Sequence, residues 1–434
     1  MRLAIPAVGE NIAWSVGQTL LLIIAGLIGP AAIAGVGITE MLRWAILAFS
    51  KAIGYSVVAV VSRRIGEDRP GEARLFACQA VTATAVIMGL AAGAAALNSH
   101  WILTVMGAAP EVVELSLPYT RLAFLSIIFQ ALNFVLGSIL KASGNTRTPM
   151  AAMALKSLTQ VSLGYTLAHG LAGLPAGGMQ GLGLAVLSGW AAGCLVITRN
   201  LYTHFGLFRA GNWRQFVPRW ALLKRLVILA VPAGVEELSI AAGQLLFTRI
   251  LTSLGTAVFA AHMIGFNMSV YGHNVAIGIS VASGTLVGQS LGAGNPSLAH
   301  RYGLWCTALG AGIITAYAIT LWAVAGSFAG LYTQDSLVIE AFRQAAPLIS
   351  VALPGFGLFT ILAAGLRGAG DTRSPMTATI TSLWLFRLGA SYFFGIVLGW
   401  GLIGVWAGWA IDQWGRGFWV LNRFLAGKWK QLRV

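Results

Sequence analysis

The sequence predicts an all-α polytopic membrane protein, with twelve transmembrane helices in two six-helix lobes related by a parallel pseudo-twofold repeat. Three observations predict it. Of 434 residues, 57% are hydrophobic and only 9% charged, whereas a water-soluble domain solvates its surface with about a quarter charged residues. The apolar residues fall in blocks of roughly 20 or more, the length that crosses a hydrocarbon layer as a helix, and mean hydropathy is +0.78. A single register of similarity, 226 residues, joins the two halves.

Apolar runs bounded by Gly, Pro and charge set the spans in order. The first begins near Leu3, carries Glu10 and continues to Ile28. Arg2 precedes it, but no small-residue cleavage pattern ends it, so it reads as a retained span rather than a leader. The next five begin near Ile38, Leu75, Leu115, Met150 and Leu182, and the last six near Leu226, His262, Tyr302, Ala341, Met376 and Leu402. Arg63, Arg64, Arg69 and Arg74 follow span 2, Lys141 and Arg147 follow span 4, and Arg209, Arg214, Arg219, Lys224 and Arg225 follow span 6. Arg367 and Arg373 follow span 10, and Lys428, Lys430 and Arg433 close the chain. Basic loops stay on the cytoplasmic side, so both termini are expected there, in a multi-pass protein of the cell inner membrane. The lobes are expected at 1–207 and 225–434, with the basic segment 208–224, from Phe208 to Lys224, as a cytoplasmic linker.

The net charge of +15 is then topological. A nucleic-acid partner would need a basic, aromatic-studded face on a soluble module, and no soluble stretch is long enough. Cys78, Cys194 and Cys306 lie far apart inside apolar blocks and suggest neither a disulfide framework nor a metal site. The six histidines have no metal-ligand spacing either.

The repeat carries more information than any single span. Pro6 and Glu10 match Pro232 and Glu236 at an offset of 226, and Gln18 with Gln244, Gly29 with Gly255, Gly66 with Gly292 and Pro70 with Pro296 keep it. The segment Lys141-Ala-Ser-Gly144-Asn-Thr-Arg147-Thr-Pro149-Met150 matches Arg367-Gly-Ala-Gly370-Asp-Thr-Arg373-Ser-Pro375-Met376 in the same register. Six spans is an even number, so both halves enter the membrane with the same orientation, as in the parallel class of transporter repeats.

These residues resemble the multidrug and toxic compound extrusion (MATE) transporters, bacterial type. The likeness is carried by Pro232-Ala-Gly-Val-Glu236, by Ala260-Ala261-His262-Met-Ile264 with Asn267, by Thr285-Leu-Val-Gly288-Gln289-Ser-Leu-Gly292-Ala-Gly294-Asn-Pro296, and by Leu366-Arg367-Gly-Ala-Gly370-Asp-Thr-Arg373-Ser-Pro375-Met376. It extends along essentially the whole chain. The resemblance implies two six-helix lobes, a central cleft near the midplane, and export of organic compounds driven by inward H⁺ or Na⁺. One departure stands out. About eleven residues beyond Glu10, where many bacterial members carry Asp, this chain has Leu21 or one of its neighbours Leu20 and Leu22. Span 10, Ala341 to Leu366, has no mid-membrane acid, and Asp371 belongs to a cytoplasmic turn.

The candidate cation-coupling residues are Glu10, Glu236 and Glu237. A carboxylate inside a span is costly when charged unless it faces a wet cavity or a partner, the property a proton carrier uses. The competing reading is hydration near the cytoplasmic surface or helix packing. Trp14, Gln18, Gln244, His273, Asn274 and Lys156 are the candidate cleft residues for substrate. Gln18 and Gln244 lie eight residues after Glu10 and Glu236, on nearly the same helix face. Trp14 lies one turn beyond Glu10, His273 titrates near neutral pH when solvated, and Lys156 is expected to offset Glu10. Interhelical hydrogen bonding is the alternative for the glutamines, and packing for His262. Arg387 and Asp412, on consecutive spans, are expected to form a structural ion pair, since pairing lowers the cost of burial.

The expected function is a cation-coupled antiporter that exports amphipathic or cationic organic compounds by alternating access. No cofactor is expected beyond H⁺ or Na⁺ as coupling ion, and the expected partners are small organic substrates and membrane lipid around a monomer. The rival is a flippase for a lipid-linked precursor, which would want a strongly basic central cavity for a pyrophosphate. A membrane enzyme would need a clustered nucleophile and base or metal ligands, which the sequence does not offer. A channel would build its filter by symmetry among subunits, whereas two lobes in one chain favour a rocking carrier.

Overall fold

The structure is a computed structural model that describes residues 1–170, 175–205, 213–330, 333 and 335–432. Phe208, Arg209 and Arg433, named above, lie outside the described residues. Among the described residues the chain is helical, without strands. The first half comprises α1 (Ala4–Ile28), α2 (Pro30–Gly66), α3 (Pro70–Leu97), the short α4 (Ser99–Val105), α5 (Pro110–Leu125), α6 (Ile127–Ala142), α7 (Arg147–His169) and α8 (Gly178–Asn200). The second comprises α9 (Trp220–Ser253), α10 (Thr256–Gly292), α11 (Pro296–Ala329), α12 (Ser336–Gly368), α13 (Arg373–Ser382) and α14 (Gly401–Leu425). α5 and α6 continue as one apolar span, and α13 runs on through π-helical turns to Val397. Among the described residues twelve spans result, six in each half.

Most of these helices start earlier than the apolar runs predict. α2 opens at Pro30 rather than near Ile38, α3 at Pro70 rather than Leu75, and α5 at Pro110 rather than Leu115. Proline suits the first helical turn because its missing N–H has no intrahelical acceptor there, so these prolines begin helices that hydropathy alone picks up later. Ten spans are long and apolar enough to cross a membrane by composition; α7 and α14 are not among them. Those two carry Lys156, Gln160, Asp412, Gln413 and Arg416, all buried within the protein.

Packing divides the chain into two compact units. The N-terminal unit is Gly9–Val61 with Arg69–Val231; the C-terminal unit is Met1–Val8, Ser62–Asp68 and Pro232–Val434. The N-terminal unit centres on Tyr119, Leu182 and Trp190, with Leu21 buried among them, while Leu20 and Leu22 on either side are exposed. The C-terminal unit centres on Phe342, Ile349, Val405 and Trp406, with Phe424 and Trp429 in a second cluster. Within a membrane, helices associate through close packing of small residues rather than through hydrophobic expulsion. A Cβ at Gly368 would lie 2.2 Å from the Gly284 carbonyl oxygen. In the same unit, a Cβ at Gly66 would meet the Gln289 carbonyl at 2.1 Å and one at Gly292 the Arg63 carbonyl at 2.1 Å. Those four residues are repeat mates, 63 with 289 and 66 with 292, so the last turns of α2 and α10 cross through reciprocal contacts.

The duplicated cytoplasmic turns have one geometry. Gly144 and Gly370 take φ of +89° and +93°, the left-handed conformation that favours glycine. Asn145 N–H then donates to the Leu140 carbonyl at 2.8 Å, and Asp371 N–H to the Leu366 carbonyl at 2.9 Å. The side chains cap the following helices, Asn145 Oδ1 accepting from Thr148 N–H and Asp371 Oδ1 from Ser374 N–H, each at 3.1 Å. Asp371 Oδ2 also accepts from Arg423 Nε at 2.8 Å.

Candidate functional site

Each duplicated turn ends a helix whose last basic side chain reaches an acid on the first helix of its half. Lys141 Nζ donates to Glu10 Oε1 at 2.7 Å. Arg367 Nη2 donates to both Glu236 oxygens at 2.7 Å. In the sequence Lys141 and Arg367 count only among the basic residues that follow spans 4 and 10; here they are the partners of the candidate coupling acids. Lys156 does not offset Glu10, because Lys141 occupies that role.

The two pairs are finished differently. Glu236 Oε1 also accepts from Thr379 Oγ1 at 2.7 Å, so both its oxygens are hydrogen-bonded. The repeat mate of Thr379 is Met153, which has no hydroxyl, and Glu10 Oε2 is buried without a hydrogen-bond partner among the described residues. Glu237 is partly buried beside Glu236.

Inside the N-terminal unit a polar cluster joins α1, α2, α5, α6 and α7. Glu40 Oε1 accepts from Arg43 and, at 3.1 Å, from Tyr119 Oη. Gln18 Nε2 donates to Glu40 Oε2 at 3.3 Å, while Gln18 Oε1 receives Lys156 Nζ at 3.5 Å and Gln160 Nε2 at 3.4 Å. Arg43 also donates to Ser126 and Gln130. Lys156 Nζ stands 4.5 Å above the Trp190 ring. Gln18 and Lys156 are therefore brought together, whereas Trp14 packs edge-on against Trp44, ring centroids 5.4 Å apart.

Glu40 and Arg43 were not singled out from sequence. With span 2 placed near Ile38, Glu40 sat at its start; with α2 opening at Pro30 it lies ten residues in, about 15 Å along the helix. Their i,i+3 spacing of opposite charges within an apolar run was the available signal.

The C-terminal unit holds a cavity of about 150 Å³ between α9, α10, α12 and α14 and the π-helical continuation of α13. Gln244, His262, His273, Arg387, Trp406 and Arg416 are among its lining residues. His273 lies against Phe356 with ring centroids 4.0 Å apart, and His262 against Trp406 at 5.2 Å. Behind the wall, Arg387 Nε and Nη2 donate to Asp412 Oδ2 at 2.9 and 2.6 Å, and Arg416 approaches the same oxygen at 3.9 Å. Arg387 and Asp412 thus form a pair, and Arg387 also faces the cavity. Arg416, one turn beyond Asp412, was readable from its i,i+4 spacing and was missed. Asn274 is buried in α10 and is not a lining residue.

Two duplicated halves of apolar helices with buried polar clusters are the architecture of a polytopic membrane protein, and its relatives make it a transporter. The chain belongs to the MatE family, whose model matches residues 6–166 and 232–393, one copy in each half. It is 26% identical over 444 residues to the probable multidrug resistance protein NorM of Thermotoga maritima, covering 100% of this chain and 93% of that protein. Among solved structures, an outward-facing multidrug resistance MATE family transporter matches with a TM-score of 0.90 and 21% identity, covering 98% of this chain and 95% of that one. A MOP superfamily transporter from Pyrococcus furiosus, described by the reverse polarity of its binding pocket, matches with a TM-score of 0.88 and 20% identity over 98% and 95% of the chains. At these identities the two structures carry the fold alone.

Proposed function

We propose that this transporter is a cation-coupled antiporter that exports amphipathic or cationic organic compounds by alternating access. The names of its multidrug relatives support export of organic compounds. The observation that carries the coupling is at Glu10, where Oε1 holds Lys141 while Oε2 is buried with no donor among the described residues. A proton arriving at Oε2 discharges the carboxylate, leaves Lys141 uncompensated and loosens α1 from α6. Na⁺ would use the same hard oxygen. A cation couples to transport only by binding the two access states unequally, and breaking a buried ion pair supplies that difference. Glu236, with both oxygens engaged, supports packing in the equivalent place. The basic loops support a bacterial inner-membrane location with both termini cytoplasmic, and coupling needs no cofactor beyond the ion and no second subunit.

The test is accumulation of a fluorescent amphipathic dye in efflux-deficient bacteria. Cells expressing the wild-type chain accumulate less dye than vector controls. Cells expressing Glu10→Gln at equal membrane abundance match the vector. Equal accumulation in all three strains over a panel of dyes would contradict the reading.

A further inference from the structure

From the cavity in the C-terminal unit we infer a subsite for a single aromatic ring bearing a carboxylate, the anionic end of an amphipathic substrate. Size is the first observation. About 150 Å³ is the volume in which an apolar protein cavity accepts one benzene ring. The walls suit a ring, since Phe247, Phe266, Phe356, Trp406 and Trp409 all line it, and aromatic faces pack edge-on or offset against another.

Charge is the second observation. Two guanidinium groups, Arg387 and Arg416, face the cavity, and a single carboxylate, Asp412, lies behind them. The nearby Glu236–Arg367 pair is neutral as a unit. One positive charge is left over among buried side chains, so a carboxylate is attracted and an ammonium group repelled.

The third observation is the set of donors. Trp406 Nε1 and Gln413 Nε2 are buried without a hydrogen-bond partner among the described residues, and both residues line the cavity and are 1% exposed. The indole N–H can only donate, and the Gln413 carbonyl is already taken by Arg416, which leaves its amide to donate. His262 Nδ1 and His273 Nε2 are likewise without partners. Buried donors left unmatched are costly, and an acceptor-only carboxylate is the group that would satisfy several at once. Arg416 is held in place by Gln413 and by the Phe359 ring 4.6 Å beneath it.

The role of this subsite in transport rests on the exporter reading; its ligand chemistry does not. Equilibrium dialysis of purified full-length protein against radiolabelled benzoate, beside its cationic isostere benzylammonium, separates the two. Benzoate is expected to bind saturably, at least about tenfold tighter than benzylammonium, the weight of one charge-assisted hydrogen bond. Arg416→Gln is expected to weaken benzoate by a similar factor. Trp406→Phe, which keeps a ring and removes an unmatched donor, does the same without lowering the melting temperature and serves where the Arg416 variant does not fold. Equal binding of the two probes, no saturable benzoate binding, or undiminished binding in a folded variant overturns the assignment. Dye export with no benzoate site leaves the exporter standing and the subsite refuted; a benzoate site without export does the reverse.

Discussion

Glu10 and Lys141 stand 131 residues apart, as do Glu236 and Arg367, and each pair closes at 2.7 Å. The duplicated sequence has kept the position of an ion pair while changing its chemistry, from a lysine that touches one oxygen to an arginine that holds both. The interior departs further. The repeat mates of Glu40, Arg43 and Lys156 are Phe266, Ser269 and Ser382, so the polar cluster of the N-terminal unit has no copy in the other. One scaffold therefore carries two different interiors.

Glu236→Ala leaves Arg367 and Thr379 without their acceptor in a buried setting. Loss of one member of a buried pair costs roughly 3–5 kcal/mol, so this variant is expected to melt well below wild type in detergent. Glu10→Gln keeps a hydrogen-bonding group beside Lys141 but leaves its charge unpaired, and should melt below wild type by less than Glu236→Ala does. Thermal unfolding followed by circular dichroism compares them directly.

Met153→Thr places a hydroxyl at the position where Thr379 serves Glu236. The hydroxyl would offer a donor to Glu10 Oε2, buried without a partner among the described residues, as Thr379 Oγ1 does for Glu236 Oε1. The expected outcome is a carboxylate held as firmly as Glu236, with folded protein retained and gradient-driven transport reduced, read from initial rates; transport equal to wild type would contradict it.

Asp412→Asn leaves Arg387 and Arg416 facing each other without their shared carboxylate. Destabilisation of a few kcal/mol is expected, about the cost of breaking a buried pair. Adding Arg387→Leu should return part of it, because the unpaired charge is removed. A double-mutant cycle on melting temperatures measures the coupling.

Most of the fold was legible in the sequence because hydropathy and the 226-residue register act over long stretches. Twelve spans and the paired turns at Gly144 and Gly370 follow from them. Polar residues that break an apolar run were the visible signal, at Glu10, Glu236, Gln18 and Gln244 and in the Arg387–Asp412 pair, and the structure places them in buried polar contacts or the cavity wall. Glu40 was hidden by the proline-opened start of α2, which moved it from a span's edge to its interior. Lys141 and Arg367 counted only as cytoplasmic loop charges because one-dimensional spacing cannot show a side chain turning back toward a helix 131 residues away. Lys156 was correctly placed within a span but paired with the wrong residue, since its contact with Gln18 is set by the packing of α7 on α1.

Gly66→Val and Gly292→Val each force a side chain against a backbone carbonyl at a crossing where a Cβ already stands at 2.1 Å. Backbone cannot yield as a flexible side chain does, and overpacking costs typically about 1–3 kcal/mol. Both variants are expected to lose transport and melt lower than wild type, whereas Gly71→Ala, where a Cβ meets nothing within 4 Å, should behave as wild type.

The central claim is that Glu10 couples a cation gradient to export. Its most direct test is uptake of a fluorescent organic substrate into proteoliposomes under an imposed H⁺ or Na⁺ gradient, with wild type and Glu10→Gln reconstituted at equal density. A gradient should drive accumulation by the wild-type protein, and the variant should retain substrate binding yet show no gradient-dependent component. Gradient-driven accumulation of equal size in both proteins would contradict the account.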